Sequence, residues 1–210
     1  MPNDLTLSPG GVTAKPTPTK AETLRQRAFV VGIGIAVMWG LEVIDAILGQ
    51  KMNNLGIEPR EVSGLLGIPL APLLHANFGH LVANTIPFVV LAFLTILRGI
   101  PTFALVTAFV TVVGGLAVWI FGSNGYHIGA SGLIFGYFGY NVAMGIFERS
   151  FKSIAMAVLV ALLYGGMIFG VFPGRSGVSW EGHLFGAAAG AGWAFLSGRK
   201  TAKAADAAKK

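Results

Sequence analysis

Long apolar stretches occupy most of this sequence, and they limit it to folds that place these stretches in a lipid bilayer. Six of them have about the 20 residues that a helix needs to cross the hydrocarbon core. They lie at 28–49, 80–97, 101–121, 129–147, 154–172 and 179–197. A soluble domain carries roughly 25% charged residues, whereas this chain carries 11%. The apolar residues run continuously instead of alternating, which excludes a transmembrane β-barrel. The sequence therefore predicts an all-α polytopic membrane protein with six transmembrane helices.

The polar segments of the chain define its domain organisation. Residues 1–24 are rich in Pro, Thr and Lys, and we expect a disordered tail because such a composition cannot bury a core. One membrane domain then covers 25–198, and a basic tail covers 199–210. Within the domain, the segment 50–79 is polar and contains three prolines, so we expect it to lie along the outer interface without spanning. The chain has no cysteine, which excludes disulfides and thiolate nucleophiles.

Basic residues are distributed unevenly between the two sides of the predicted bundle. With six spans both termini lie on one side, and that side carries twelve of the Lys and Arg residues. The other side carries three, which are Lys51, Arg60 and Arg175. Because positive residues accumulate on the cytoplasmic side, both termini are predicted to be cytoplasmic. The basic excess is then explained by topology and contact with lipid headgroups. No basic stripe with interleaved aromatic residues is present, so we expect no nucleic-acid partner.

Ser131 and His183 fall at the outer ends of two predicted spans. Ser131 belongs to Gly129-Ala130-Ser131-Gly132, and His183 lies in the first turn of the last span. Polar groups at bilayer depth are expensive and are functional candidates by default. A serine and a histidine are the minimum for a nucleophile and its general base. The alternative for Ser131 is a contact between small residues of packed helices. All four histidines fall in the same outer leaflet, which favours the catalytic interpretation.

Glycines at four-residue intervals predict a close contact between the spans that carry Ser131 and His183. They are Gly132 and Gly136 on one span, and Gly182, Gly186 and Gly190 on the other. Such glycine faces let two helix backbones approach closely, which would bring a short serine side chain within reach of an imidazole. No aspartate is placed to orient His183, so the pattern predicts a Ser–His dyad. Phe135 lies one turn after Ser131 and either packs on the imidazole or faces lipid.

The remaining polar residues allow more than one interpretation. His80 and Asn84 share a helical face, and they either form an oxyanion hole or make an interhelical hydrogen bond. His75 and His80 are five residues apart and are expected on different helical faces. There is no His-Glu-x-x-His motif, so we expect no metal and no other cofactor. His127 is expected to have an interfacial role.

Three motifs together resemble the rhomboid family of intramembrane serine proteases. After about residue 60 they follow the family's order: His75-x4-His80-x3-Asn84, then Gly129-Ala130-Ser131-Gly132, then His183-x2-Gly186-x3-Gly190. The resemblance implies a rhomboid-like helical bundle of the six-helix bacterial form in the cytoplasmic membrane. It implies Ser131 as the nucleophile, His183 as the base, and His80, Asn84 and the Ser131 amide as oxyanion donors. Phe135 stands where rhomboids often have a tyrosine that packs on the catalytic histidine.

The expected function is hydrolysis of a peptide bond in a transmembrane segment of a substrate, near the outer leaflet. Its partners would be transmembrane proteins and the lipid bilayer. One alternative is a proteolytically inactive rhomboid-like protein that binds transmembrane helices, and the presence of both Ser131 and His183 argues against it. The other is a small polytopic transporter, which would need polar residues that continue into the inner leaflet.

The residues around the candidate nucleophile also suggest how a substrate is selected. The glycines that surround Ser131 leave little room, so we expect a small residue such as Ala or Ser before the cut. A regular helix hides its carbonyl groups, so helix-breaking residues near the cleavage site are expected in substrates. Access is expected from the side, past a gate formed by Phe169, Phe172 and Trp180.

Overall fold

The helices of the protein follow the apolar stretches of its sequence. The computed structural model describes residues 18–174 and 177–207. The α-helices in that part of the chain are α1 (Lys20–Ile47), α2 (Gly67–Leu70), α3 (Phe78–Ile96), α4 (Ile100–Phe109), α5 (Gly115–Phe121), α6 (Ser131–Phe147), α7 (Phe151–Tyr164) and α8 (Trp180–Ala207). A π-helical turn at Val110–Gly114 joins α4 to α5. Shorter 3-10 helices lie at Lys51–Leu55, Ser63–Leu65, Ala71–Leu73 and Gly165–Val171. The prediction of an all-helical protein is confirmed over the described residues, where no β-strand occurs.

Four helical segments are long and apolar enough to cross a membrane. They are Lys20–Ile47, Phe78–Ile96, Ile100–Phe121 and Phe151–Val171. The apolar helix α6 has 17 residues, one turn shorter than a typical span. Helix α8 is apolar at its start and continues into the basic C-terminal sequence. The structure therefore supports a polytopic membrane protein, and a total of six spans stays a prediction.

Helix α1 begins within the segment that was assigned to the N-terminal tail. Thr19 caps the helix: its Oγ1 accepts a hydrogen bond from the Glu22 N–H at 3.2 Å. The Glu22 carboxylate in turn accepts one from the Thr19 N–H at 2.7 Å. This reciprocal capping box satisfies two amides at the helix start, which explains why the helix begins at Lys20 and not near residue 25. Residues 1–17 of the predicted tail lie outside the described residues.

The C-terminal boundary also differs from the one drawn on composition. Helix α8 runs on to Ala207, well into the segment 199–210 that was assigned to a basic tail. The sequence after Gly198 contains neither glycine nor proline and is rich in Ala and Lys, which are strong helix formers. A change from apolar to basic composition marks the end of the apolar part of a helix but does not end the helix itself.

Helix α6 lies at the centre of the bundle, between α3, α7 and α8. Two of its buried polar side chains form hydrogen bonds with neighbouring helices. The Asn141 Nδ2 donates to Thr95 Oγ1 of α3 at 2.8 Å, and the Tyr137 hydroxyl lies 2.7 Å from Thr107 Oγ1 of α4. Because buried polar groups are costly when unpaired, these contacts fix the rotation of α6 against its neighbours. The residue at its N-terminus, Ser131, is thereby given a defined direction.

The segment between α1 and α3 contains only short helices, as expected for a part of the chain that does not span. It is attached to residues 122–130, here called the junction loop, which lead into α6. Ile57 and His127 exchange two backbone hydrogen bonds, of 3.0 and 2.9 Å. The Gly129 N–H donates to the Ala71 carbonyl at 2.8 Å. The segment therefore supports the loop that positions Ser131.

Candidate active site

Ser131 is the first residue of α6, at the end of the junction loop. Its neighbour Ala130 offers no side chain to cap the helix. The Ile134 N–H reaches back to the Ala130 carbonyl at 2.9 Å, so the regular helical hydrogen bonds begin only there. The amides of the preceding turn have no intrahelical acceptor, and the helix dipole is positive at this end. A partly buried hydroxyl is thus placed beside donors suited to a developing negative charge.

The backbone of Gly129 allows the junction loop to turn closely around His80. Its φ angle is +111°, a conformation that L side chains rarely adopt. A Cβ atom at this position would lie 2.6 Å from Cε1 and 2.8 Å from Nε2 of the His80 ring. The Nδ1 atom of that ring accepts a weak hydrogen bond from the Ala76 N–H at 3.4 Å. In neutral His80 the proton then resides on Nε2. This Nε2–H is a hydrogen-bond donor beside Gly129, which lies two residues before Ser131.

His183 lies in the first turn of α8 and is buried. Its Nδ1 lies 2.9 Å from the Gly170 carbonyl oxygen. A carbonyl only accepts hydrogen bonds, so Nδ1 carries the proton and Nε2 is left with a free lone pair. The Phe135 ring stacks on the imidazole, with ring centroids 4.2 Å apart and planes inclined by 6°. The histidine is therefore fixed in one tautomer and one plane without a carboxylate.

Close backbone contact brings α6 and α8 together at Ser131 and His183, as the glycine spacing predicts. A Cβ atom at Gly132 would lie 3.3 Å from the Gly182 carbonyl oxygen, and one at Gly186 would overlap the Gly132 carbonyl. Within the described part of the chain, no hydrogen bond joins the side chains of Ser131 and His183. Catalytic hydrogen bonds are often long without substrate and shorten in the Michaelis complex. The two side chains therefore stand on the first turns of two helices whose backbones are in close contact.

Asn84 lies one turn below His80 in α3 and is buried. One amide proton is used locally, because Nδ2 donates to the His80 carbonyl at 2.9 Å. The amide nitrogen has a second proton that this contact does not use. This hydrogen bond of Asn84 lies within α3 instead of joining two helices, and an oxyanion role for its second amide proton stays a prediction.

His75 does not belong to the helix that carries His80, contrary to the expectation of two faces of one helix. Helix α3 begins at Phe78, because Asn77 caps it by accepting from the His80 N–H at 2.9 Å. His75 lies in the preceding turn, almost fully buried, and its ring meets the His80 ring edge-on with centroids 5.2 Å apart. Its Nε2 accepts a hydrogen bond from the Ala130 N–H at 3.4 Å. His75 therefore supports the residue that precedes the candidate nucleophile.

Burial and the neighbouring His80 lower the pKa of His75 to about 4 from its ordinary value of 6.5. Between pH 6.5 and 4 the unfolded chain binds the extra proton and the folded protein does not. The contribution of His75 to the free energy of unfolding is therefore full above pH 6.5 and falls with decreasing pH, by at most about 1.4 kcal/mol per pH unit. Thermal unfolding in detergent across this window should show the decline. His75→Gln, which keeps an acceptor but does not titrate, should flatten it; an unchanged slope would contradict this assignment.

Two cavities lie at the site, one beside Ser131 and one beside His80. The larger has a volume of about 560 Å³ and is lined by His80, the junction loop, and the start of α8. The smaller lies beside Ser131 and has about 60 Å³ of room for the centres of water molecules, enough for several waters. Apolar side chains of the π-helical turn, α5 and the segment before α3 form much of its wall, among them Ile57, Ile68, Val110 and Val118. The smaller cavity therefore leaves room for water beside Ser131.

The three residues expected to form a gate differ in their placement. Phe169 and Phe172 are 75% and 61% exposed, and they flank Gly170, whose carbonyl holds His183. Trp180 is half-buried and lines the larger cavity. A gate that includes Phe169 and Phe172 remains a prediction, and in this structure their side chains face outward.

Two residues that contribute to the site were not predicted from the sequence. Gly170 acts through its carbonyl oxygen, and a backbone acceptor has no residue-type pattern that could reveal it. Arg60 joins the segment before α3 to the junction loop: its guanidinium donates to the Gly122 carbonyl at 2.7 Å and to Asn124 Oδ1 at 2.6 Å. Over the described residues, no group of three or more His, Asp or Glu side chains is arranged to hold a metal ion.

The fold and the site define a helical membrane protein with a serine at one helix N-terminus and a histidine on the adjoining helix. A family model described as the Rhomboid domain matches residues 62–200. This chain belongs to the rhomboid family.

Relatives of this chain extend the match beyond that region. It is 43% identical over 198 residues to "Uncharacterized protein Rv1337" of Mycobacterium tuberculosis (strain ATCC 25618 / H37Rv), covering 88% of this chain and 82% of that protein. It is 42% identical over 191 residues to "Uncharacterized protein ML1171" of Mycobacterium leprae (strain TN), covering 84% and 76%. It is 31% identical over 149 residues to "Putative rhomboid protease YdcA" of Bacillus subtilis (strain 168), covering 70% and 73%.

Proposed function

We propose that this protein is an intramembrane serine endopeptidase that cleaves transmembrane segments of other proteins near the outer leaflet. In this proposal the chain crosses the bacterial cytoplasmic membrane six times, with both termini in the cytoplasm, and uses no cofactor. One observation carries the proposal. Ser131, at the positive end of α6 and beside a cavity, faces the turn of α8 that holds His183 with Nε2 free.

The reaction assigned to this site is acyl transfer in two steps. The Ser131 hydroxyl attacks the scissile carbonyl carbon as His183 Nε2 removes its proton. The negative charge that forms on the carbonyl oxygen is stabilised by the Ser131 N–H, His80 Nε2–H and the second amide proton of Asn84. His183 then returns the proton to the departing amine, and the peptide bond breaks. A water molecule, activated by the same histidine, hydrolyses the ester and restores the free hydroxyl.

Substrate choice in this proposal follows from the close packing around Ser131. Gly132 and Gly186 let the backbones of α6 and α8 meet, and Gly129 lies against the His80 ring, so we expect that only a small residue fits before the cut. An extended backbone has to enter the site, which favours Gly, Pro or Ser nearby in the substrate helix. Entry from the side requires Phe169, Phe172 and Trp180 to move.

A fluorophosphonate probe tests the proposal directly, because it forms a covalent bond only with an activated serine. Purified protein is expected to be labelled at a single site, identified as Ser131 by mass spectrometry, and Ser131→Ala should not be labelled. Cleavage of a transmembrane substrate by the same sample should stop on labelling and should continue in EDTA. A well-folded protein that is neither labelled nor active would favour the inactive helix-binding alternative.

Replacing Asn84 by alanine separates its two possible roles. If Asn84 stabilises the oxyanion, turnover per folded molecule should fall by up to about 10²-fold, since other donors remain. The Michaelis constant and the unfolding temperature should change little. If Asn84 serves only as a structural contact within α3, the unfolding temperature should fall and the turnover of the folded fraction should not.

A further inference from the structure

Hydrogen bonds attach the junction loop, which ends at Ser131, to the first turn of α8, which carries His183. His127 of the loop is buried between the two. Its Nδ1 lies 2.6 Å from the Ser179 hydroxyl oxygen, and its Nε2 lies 2.9 Å from the Ser123 carbonyl oxygen. The contact with Ser179 joins residues 52 positions apart in the sequence, so it is formed only in the folded protein.

The protonation of these groups can be assigned from their partners. The Ser123 carbonyl only accepts, so the proton of neutral His127 resides on Nε2. Its Nδ1 then accepts from the Ser179 hydroxyl. The same hydroxyl oxygen accepts from the Gly182 N–H at 3.1 Å, and the Ser179 carbonyl accepts from the His183 N–H at 3.2 Å. Ser179 is therefore the N-cap of α8, and His127 fixes the direction of its hydroxyl.

A second contact lies beside the first. Glu181, 4% exposed, accepts a hydrogen bond on Oε1 from the Ser123 N–H at 3.0 Å. Ser123 is thus connected to the start of α8 twice. Its N–H donates directly to Glu181, and its carbonyl is linked through His127 to Ser179. Among the residues that the structure describes, the hydrogen bonds of the Glu181 carboxylate and the His127 imidazole are to Ser123 and Ser179, and none is to Ser131.

We propose that Ser123, His127, Ser179 and Glu181 form a clamp that sets the distance between Ser131 and His183. The proposal rests on the proposed proteolytic function. His127 precedes Ser131 by four residues, and Ser179 precedes His183 by four residues. The hydrogen bond between His127 and Ser179 therefore lies four residues before each of the two reactive residues. Displacement of a reacting group by about 1 Å can cost about 10²-fold in rate, so a tether of this kind acts on turnover. Its members are positioning residues.

Turnover of a soluble peptide substrate tests the clamp without involving the gate. His127→Ala and Ser179→Ala should each lower kcat by about 10- to 100-fold. KM should stay within about threefold, because both side chains are engaged in hydrogen bonds of the clamp. The double variant should be little worse than either single one, since the two residues act through one hydrogen bond. Ser179→Thr, which retains the hydroxyl, should recover most of the turnover.

Glu181 offers a matched pair of variants. Glu181→Gln keeps the Oε1 acceptor for the Ser123 N–H and should retain kcat within about threefold. Glu181→Ala removes the acceptor and should lower kcat by about tenfold or more. Equal losses in the two variants would show that the charge matters and not the contact, which would overturn this half of the clamp.

A variant that removes a helix cap outside the site distinguishes an effect on positioning from an effect on stability. Ser150 caps α7 by accepting a hydrogen bond from the Ser153 N–H at 3.2 Å. It follows the C-terminal end of α6, whereas Ser131 lies at the N-terminal end of that helix. Ser150→Ala should lower the unfolding temperature about as much as Ser179→Ala and leave kcat unchanged. If both cap variants keep full kcat, the clamp is overturned while Ser131-dependent activity of the parent protein still supports the protease. If the parent protein shows no Ser131-dependent activity, the proposed function fails and the clamp fails with it.

Discussion

Replacing either Ser131 or His183 by alanine is expected to reduce cleavage of a transmembrane substrate to background. Ser131→Ala removes the attacking oxygen. His183→Ala removes the proposed base, whose Nε2 lone pair is left free when Nδ1 donates to Gly170. Cleavage should be measured in liposomes, with single-turnover kinetics to detect slow residual reaction.

The double variant distinguishes a catalytic pair from two independent contributions. Members of one nucleophilic unit are strongly non-additive, so Ser131→Ala with His183→Ala should be no slower than either single variant. Size-exclusion profiles and unfolding temperatures of all three should match the parent protein, which excludes misfolding as the cause. Substantial cleavage by Ser131→Ala would contradict its role as the nucleophile.

The substitution Gly186→Ala, which adds one methyl group, is expected to lower turnover by separating α8 from α6. The new Cβ would overlap the carbonyl oxygen of Gly132, which is backbone and cannot turn aside. Helix α8 would have to move away from α6 and take His183 with it. Overpacking of this kind costs about 1–3 kcal/mol of stability. Turnover should fall by about 10²-fold, because the base is displaced from the serine.

Two further glycines of α8 provide controls for this prediction. A Cβ at Gly190 would overlap the Gly136 carbonyl oxygen one turn further from the site, so Gly190→Ala should lower stability similarly. A Cβ at Gly192 would meet nothing within 4 Å. Gly192→Ala should therefore be neutral or stabilising by about 0.5–1 kcal/mol, since alanine is the better helix former. Equal behaviour of Gly186→Ala and Gly192→Ala in both assays would show that the close contact is not required.

Periodicity and composition were enough to place most of the helices, because a bilayer tolerates few alternatives to continuous apolar helices. They were also enough to place Ser131 and His183 on adjoining turns, since glycine faces have few uses other than close helix packing. Helix ends were predicted less well. The start of α1 depends on a capping box at Thr19, and the end of α8 depends on helix propensity where hydropathy has already fallen.

Contacts between distant parts of the chain could not be predicted from local patterns. His75 was assigned to a helix because its spacing from His80 was counted as helical, whereas the Asn77 cap starts α3 after it. His127 was expected only at an interface, because its partner Ser179 lies 52 residues later. Such pairings are set by how the loops are held against the bundle.

The backbone partner of His183 has a consequence for how the proposed protease could be controlled. In a triad the base is steadied by a side chain that stays in place when the surroundings move. Here the acceptor is Gly170, within the 3-10 segment Gly165–Val171 that also carries Phe169. In the proposed lateral entry, a displacement of that segment to admit a substrate would also withdraw the Nδ1 partner and let the ring turn on its Phe135 support. Hydrolysis by the proposed dyad would then require the segment to return to its position after the substrate has entered.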